Sequence, residues 1–193
     1  RQPRTEDRQP RTEDRQPRTR GPATEDSRLG LPEAQGIMAS RCFDGTGGEG
    51  KDLDKCFEWA TKAAEGGDKV GQFRLGYAFH LGKGVEQNKV EALKWYELAA
   101  AQGCSTSMSN IGVIYAYGGQ GGDGNLTVAL SWFKKAADAG HKSANYTVGA
   151  FYFKGSGVAK DLVEARRWFQ KASDLDDANG HFMLGFVKMR GEG

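Results

Sequence analysis

The chain has 193 residues, with 27 lysines and arginines against 25 aspartates and glutamates, a formal charge of +2, and 38% hydrophobic residues. Residues 1–28 hold eight of the arginines and six of the acids, which leaves 19 charges of each sign in the remainder. A neutral remainder lacks the broad positive field of a nucleic-acid binder, and no window reaches the roughly 18 consecutive apolar residues of a membrane span, so neither nucleic-acid binding nor membrane insertion is expected.

The opening "RQPRTEDRQPRTEDRQPRT" repeats a seven-residue unit without variation. Each unit carries a proline and no apolar residue, so there is neither a heptad seam nor an unbroken helix to form a coiled coil. All five prolines lie between Pro3 and Pro32, and the first aromatic is Phe43. Residues 1–31 are therefore expected to be a disordered charged tail, and residues 32–193 the folded part. The first residue is Arg1, the first methionine Met38, and no apolar run of signal-peptide type follows the charged start. Localisation stays open.

The folded part opens with "EAQGIMASRCFDG", an expected helix, followed by "GTGGEG" at Gly45–Gly50, which satisfies the GxGxxG pattern of a phosphate-cradling loop. That pattern needs a strand before it and a helix after it, and here a helix precedes it. "GQGGDG" at Gly119–Gly124 fills the same slot later, and "GKG" at Gly82–Gly84 and "GSG" at Gly155–Gly157 fill the others. Glycine richness thus belongs to a repeated interhelical loop, and no nucleotide cofactor is expected.

The period behind that repetition comes from Trp59, Trp95, Trp132 and Trp168, spaced by 36, 37 and 36 residues, and from Gly76, Gly112, Gly149 and Gly185 with the same spacings. Seven residues before each tryptophan stand Asp52, Asn88, Asn125 and Asp161, expected N-caps, with Glu91 and Glu164 completing a capping-box pattern in two units. Gly67, Gly103 and Gly140 are expected to end these helices in the left-handed conformation; the fourth unit has Asp176 there, so a different turn is expected. Cys56, Ala92, Ala129 and Ala165 and, seven residues on, Ala63, Ala99, Ala136 and Ala172 predict a small-residue seam. The other helix of each unit is centred on the repeated glycine, where the backbone of another helix is expected to approach; Ala39 takes that place in the first unit. Four helical hairpins and one orphan first helix result, ending at "RGEG" as an excerpt of a longer array would.

The stretches "LGKGVEQNKVEALKWYELAAAQG" and "KGSGVAKDLVEARRWFQKASD" closely resemble Sel1-like repeats, relatives of tetratricopeptide repeats, over about residues 33–193. The resemblance implies an all-α, right-handed solenoid of αα-hairpins that serves as an adaptor, with the first helix of each hairpin lining a concave surface. Members act in endoplasmic-reticulum quality control, bacterial signalling and secretion, and complex assembly. Positions two before, one after and five after the repeated glycine face away from the expected core. They make a candidate groove for a peptide or protein partner: Arg74, Tyr77 and Leu81; Asn110, Val113 and Tyr117; Thr147, Ala150 and Lys154; Met183, Phe186 and Arg190. Tyr77 and Tyr117 are the expected anchors. Arg74 and Lys154 are candidates to clamp a carboxylate.

No catalytic, cofactor or metal residue is assigned. His80, His141 and His181 hold three different unit positions, with no HExxH, CxxC, GxSxG or P-loop signature. The odd count of three cysteines fits a reducing environment better than a disulfide scaffold. Cys42 and Cys56 fall on the two helices of the first hairpin, and the resemblance to cysteine-rich Sel1 relatives leaves a bridge, and a weak hydrolase, open. Asn125-Leu-Thr and Asn145-Tyr-Thr match glycosylation acceptors, and a secretory location stays possible. A non-catalytic interaction scaffold is the expected function. Beside it stand an array that serves a catalytic domain elsewhere in a larger enzyme or signalling protein, and an inert spacer.

Overall fold

The computed structural model describes residues 31–46, 52–118 and 124–189. The expectations for residues 1–30, most of "GTGGEG" and "GQGGDG", and Arg190 lie outside them. Among the described residues nine helices follow in order: α1 Pro32–Asp44, α2 Leu53–Glu65, α3 Lys69–Leu81, α4 Lys89–Ala101, α5 Ser105–Ala116, α6 Leu126–Asp138, α7 Lys142–Lys154, α8 Leu162–Asp174 and α9 Ala178–Met189. They form four hairpins, α1–α2 to α7–α8, plus α9, and there is no strand among the described residues.

Each second helix starts at its expected cap. Asp52 accepts from the Lys55 amide, Asn88 from Val90 and Glu91, Asn125 from Val128 and Asp161 from Glu164. The capping-box glutamates do not complete their half of the motif: Glu91 pairs with Lys94, and Glu164 with Arg167 and the Trp168 indole. The cap residue's own N–H is already taken, because Asn88, Asn125 and Asp161 donate to the Phe79, Tyr115 and Tyr152 carbonyls of the preceding first helix. That bond closes the hairpin and makes the glutamate redundant.

Second helices end alike. The carbonyls of Ala63, Ala99, Ala136 and Ala172 accept from the amides of Asp68, Cys104, His141 and Asp177, five residues on. Gly67, Gly103 and Gly140 provide the left-handed residue at φ 85°, 80° and 83°. Asp176 adopts the same conformation at φ 55°, so the expected difference in the fourth turn is not found. An aspartate tolerates this region better than most residues do, and Asp177 beside it caps α9 by accepting from the Gly180 amide.

The repeated glycine serves a ring more than a backbone. A Cβ on Gly76, Gly112 or Gly149 would stand 2.7, 2.9 or 2.7 Å from Tyr96, Phe133 or Phe169, the residue after the tryptophan of the paired helix. Helix backbone comes close as well, the Ala92 and Ala165 carbonyl oxygens lying 3.2 and 3.3 Å from the Gly76 and Gly149 Cβ positions. In the first hairpin the glycine and the ring are replaced together, by Ala39 and Ala60, both fully buried. Each neighbouring tryptophan faces the other way: Trp95, Trp132 and Trp168 pack on the apolar cluster shared with the hairpin before. Adjacent aromatic residues thus hold a hairpin together and stack it on its predecessor.

A second small position, Gly71, Ser107, Ala144 and Gly180, sets each first helix against the preceding second helix, with a Gly71 Cβ meeting Ala63 and a Gly180 Cβ meeting Ala172. Ser107 is fully buried there and its hydroxyl has no hydrogen-bond partner among the described residues. Because Ala144 fills the same place, Ser107→Ala is expected to raise stability by about 1 kcal/mol, read as a higher thermal midpoint.

Cys42 and Cys56 form a disulfide across the first hairpin, with Cα atoms 5.3 Å apart, and Cys104 is free. The bridge left open for Cys42 and Cys56 is present, and the reading of the odd count as favouring reduced cysteines does not hold for that pair. Two of three pair because α1 and α2 present them face to face on either side of the loop, which is compatible with an odd count.

Candidate functional site

The GxG loops are stacking devices. Gly82 and Gly155 end α3 and α7 at φ 68° and 74°, and Gly84 and Gly157 follow at φ 71° and 67°. A Cβ on Gly84 would lie 2.3 Å from the Leu53 carbonyl oxygen, and one on Gly157 2.4 Å from the Leu126 carbonyl carbon, so each loop is pressed onto the start of the preceding second helix. Beyond these two loops, the Asn88 and Asp161 amides donate to the Phe79 and Tyr152 carbonyls of the preceding first helix.

First helices form one row, in which α1 touches α3 and α7 touches α9 directly. Charge is unevenly divided between the two kinds of helix. From α3 onward, first helices hold five lysines or arginines and no acid, whereas second helices hold five acids interspersed with seven basic residues.

The candidate groove residues separate into two groups. In the first, Arg74 donates to both Asp44 carboxylate oxygens at 3.0 and 2.7 Å and to Ser40 at 2.9 Å, joining α3 to α1. Tyr77 packs edge-on against Phe43 and beside Phe73, and its hydroxyl accepts from Lys83. Leu81 is exposed at the end of α3. Asn110 hydrogen-bonds the Tyr96 hydroxyl, and Val113 packs on the core of the third hairpin. These residues are brought against their own neighbours, and Arg74 already holds a carboxylate.

The second group surrounds α7. Tyr117, Thr147, Ala150 and Lys154 line a hollow of about 340 Å³ together with Ala116, Leu126, Tyr146, Phe151 and Ser156. Ala150, Lys154, Met183 and Phe186 line a second, of about 300 Å³, with Tyr146, Phe153 and Phe182. Tyr146, Ala150 and Lys154 belong to both, so they form a ridge along α7 with a hollow on each flank. Tyr117 is 84% exposed beside the first. Lys154 is exposed and forms no ion pair with a described residue. Tyr146, Phe153 and Leu126 were missed in the sequence. Tyr146 and Phe153 lie on the core side of the helical wheel, where they also pack on Phe169, and Leu126 belongs to a second helix.

Among the described residues, no His, Ser and carboxylate converge beside these hollows. His141 and Ser143 approach at 3.4 Å on the surface, but no described carboxylate hydrogen-bonds that imidazole. No three His, Cys, Asp or Glu side chains converge to hold a metal among the described residues, and no described helix is long and apolar enough to cross a membrane. Asn145 is buried within α7 and donates to the Lys142 carbonyl, which closes it to glycosylation in the folded chain; Asn125 is exposed.

Burial, and then the charge of Lys89, hold His80 below the ordinary imidazole range; burial does the same for His141. Both bases therefore bind protons more readily unfolded than folded. Their contribution to stability is complete above about pH 6.5 and is lost as pH falls through that value toward the lower folded pKa values. A thermal midpoint that drops between pH 7.5 and 5.5, and drops less in His80→Gln/His141→Gln, is the expected result.

The Sel1 repeat profile matches residues 32–68, 69–104, 105–141 and 142–177, one match per hairpin. Among solved structures, the chain is similar to c5321, a protective antigen of uropathogenic Escherichia coli with an SLR fold. The identity is 33% and the TM-score 0.80, with 89% of this chain and 36% of that chain covered. It is also similar to a Sel1 repeat protein from Oxalobacter formigenes, at 30% identity and TM-score 0.75, covering 86% of this chain and 66% of that one. Helicobacter pylori cysteine-rich protein B shares the fold at 23% identity and TM-score 0.54 over 69% of this chain and 96% of its own. A curated relative, the chitin synthase regulator SKT5 of Saccharomyces cerevisiae, is 48% identical over 50 residues, which is 26% of this chain and 7% of that protein. The chain thus spans about a third of the antigen and a small part of the regulator. Its solenoid is of a kind typical of protein-interaction scaffolds, and with four matched repeats the chain belongs to the Sel1 repeat family.

Proposed function

We propose that this Sel1 array is a non-catalytic adaptor that holds a segment of a partner protein on the concave face made by its first helices. The observation that carries the reading is the pair of adjoining hollows on either side of the α7 ridge, where aromatic and aliphatic side chains remain open to solvent. The α9-side hollow has mainly apolar walls and the Tyr117-side hollow mixes apolar walls with Thr147, Ser156 and Lys154, an arrangement that suits side-chain insertion by a peptide. A substitution that fills the saddle without touching the core provides the test. Ala150→Trp is expected to lose the proteins that the wild-type chain captures, while Glu97→Lys on the exposed side of α4 keeps them, with both variants equally helical. Equal capture by all three proteins would overturn the reading.

A second reading, in which the array positions an enzyme, is favoured by the similarity to a protein described as a chitin synthase regulator. It uses the same face and differs in the nature of the captured protein, so recovery of an enzyme in an Ala150-dependent manner would select it.

A further inference from the structure

Resting on the adaptor reading, the geometry points to a specific occupant: an acidic segment of a partner protein that places two bulky apolar side chains in the hollows flanking α7 and a carboxylate on Lys154. Three observations converge on that chemistry. The first helices from α3 onward contain no acid, so α5, α7 and α9, which border the hollows, present no negative charge of their own to repel a negative ligand. Within the row the two arginine and lysine candidates differ: Arg74 is neutralised by Asp44, whereas Lys154 borders both hollows and forms no ion pair with a described residue, so a positive charge open to a ligand sits on the ridge. The walls beside it offer apolar and aromatic surface, with Tyr117 and Leu126 beside the hydroxyls of Thr147 and Ser156 on one flank and Met183 and Phe186 on the other.

The hollows lie on opposite sides of one helix, and packed helices are about 8–10 Å apart. An extended chain advances about 3.3 Å per residue, so the two apolar side chains stand two or three positions apart with the acid between them. The chain's own tail is a poor occupant, because residues 1–28 carry eight arginines against six acids and no aromatic side chain.

The test uses the full chain and fluorescein-labelled synthetic peptides read by polarisation. The probe carries Leu-Asp-Glu-Phe within a Gly-Ser background. Its controls replace Asp-Glu by Lys-Lys, or Leu and Phe by Ala, and a further peptide repeats RQPRTED twice. Binding of the acidic probe at least tenfold tighter than either control is expected, weakening several-fold between 50 and 500 mM NaCl. Lys154→Glu is expected to weaken it at least tenfold, Lys154→Arg to preserve it, and Ala150→Trp to abolish it. Preference for the lysine control or for the RQPRTED peptide, or indifference to Lys154, would overturn the inference. An array of random 12-residue peptides separates that failure from failure of the adaptor reading. Ala150-dependent capture of peptides of another chemistry would leave the adaptor standing and the acidic occupant refuted. No Ala150-dependent capture would refute both.

Discussion

Gly149→Ala is expected to destabilise the array by about 1–3 kcal/mol and Phe169→Ala by about 3–5 kcal/mol, yet the double variant is expected to fall well short of their sum. The added methyl would lie 2.7 Å from two carbons of the Phe169 ring and 3.3 Å from the Ala165 carbonyl oxygen. The ring has little room to yield, because it is fully buried with Tyr146 and Phe153 packed on it. Overpacking therefore outweighs the gain of about 1 kcal/mol that alanine brings over glycine inside a helix. Removing the ring removes the clash, and the double variant then has the Ala–Ala pair that Ala39 and Ala60 form in the first hairpin. Gly185 is the internal control. A Cβ there meets nothing within 4 Å among the described residues, so Gly185→Ala is expected to be neutral or to stabilise by up to about 1 kcal/mol. Midpoints of thermal and urea unfolding, with hydrogen exchange of the α7 and α8 amides, read these effects. A stabilising Gly149→Ala would show that the ring is not held where the geometry places it.

The same glycine shows how far the sequence could be read. Its spacing of 36, 37 and 36 residues fixed the repeat, and the caps seven residues before each tryptophan fixed where second helices start, because both devices use local geometry that only a few residue types satisfy. What the glycine faces was not legible, since a ring and a backbone both demand a missing side chain. The Cys42–Cys56 bridge was likewise visible only as a placement on two facing helices, not as a bond. The capping-box glutamates misled because their target amide is satisfied from another helix, a long-range fact that no four-residue motif contains. At the candidate site, helical position assigned Thr147, Ala150 and Lys154 to one stretch of α7. It did not reveal that Arg74 is held by Asp44, thirty residues away, nor that Tyr146 serves both the core and the hollows.

Reduction of the Cys42–Cys56 bridge is expected to cost about 3 kcal/mol, concentrated in the first hairpin. The bond closes a loop with a sequence separation of 14, and chain-entropy arguments give about that value for a loop of some 15 residues. In a solenoid each hairpin is stabilised by its own packing and by its neighbours, so the loss is not shared evenly. The first hairpin is poorly placed to absorb it. It has Ala39 against Ala60 where the later hairpins bury an aromatic ring, and its α1 has no side-chain cap at Leu31. Its α1 is tied to α3 by the Phe43–Tyr77 contact and the Arg74 bonds to Asp44 and Ser40, whereas α2 is held by the core cluster it shares with α3 and by the Gly84 loop on Leu53. With a reductant, or in Cys42→Ser/Cys56→Ala, the α1 amides are expected to exchange much faster, by up to about a hundredfold for 3 kcal/mol, while α7 and α8 amides keep their protection. Since Arg74 would then lose its hold on Asp44, its guanidinium would become free on the first-helix row. A uniform loss of protection along the whole array would instead mean that the hairpins unfold as one unit.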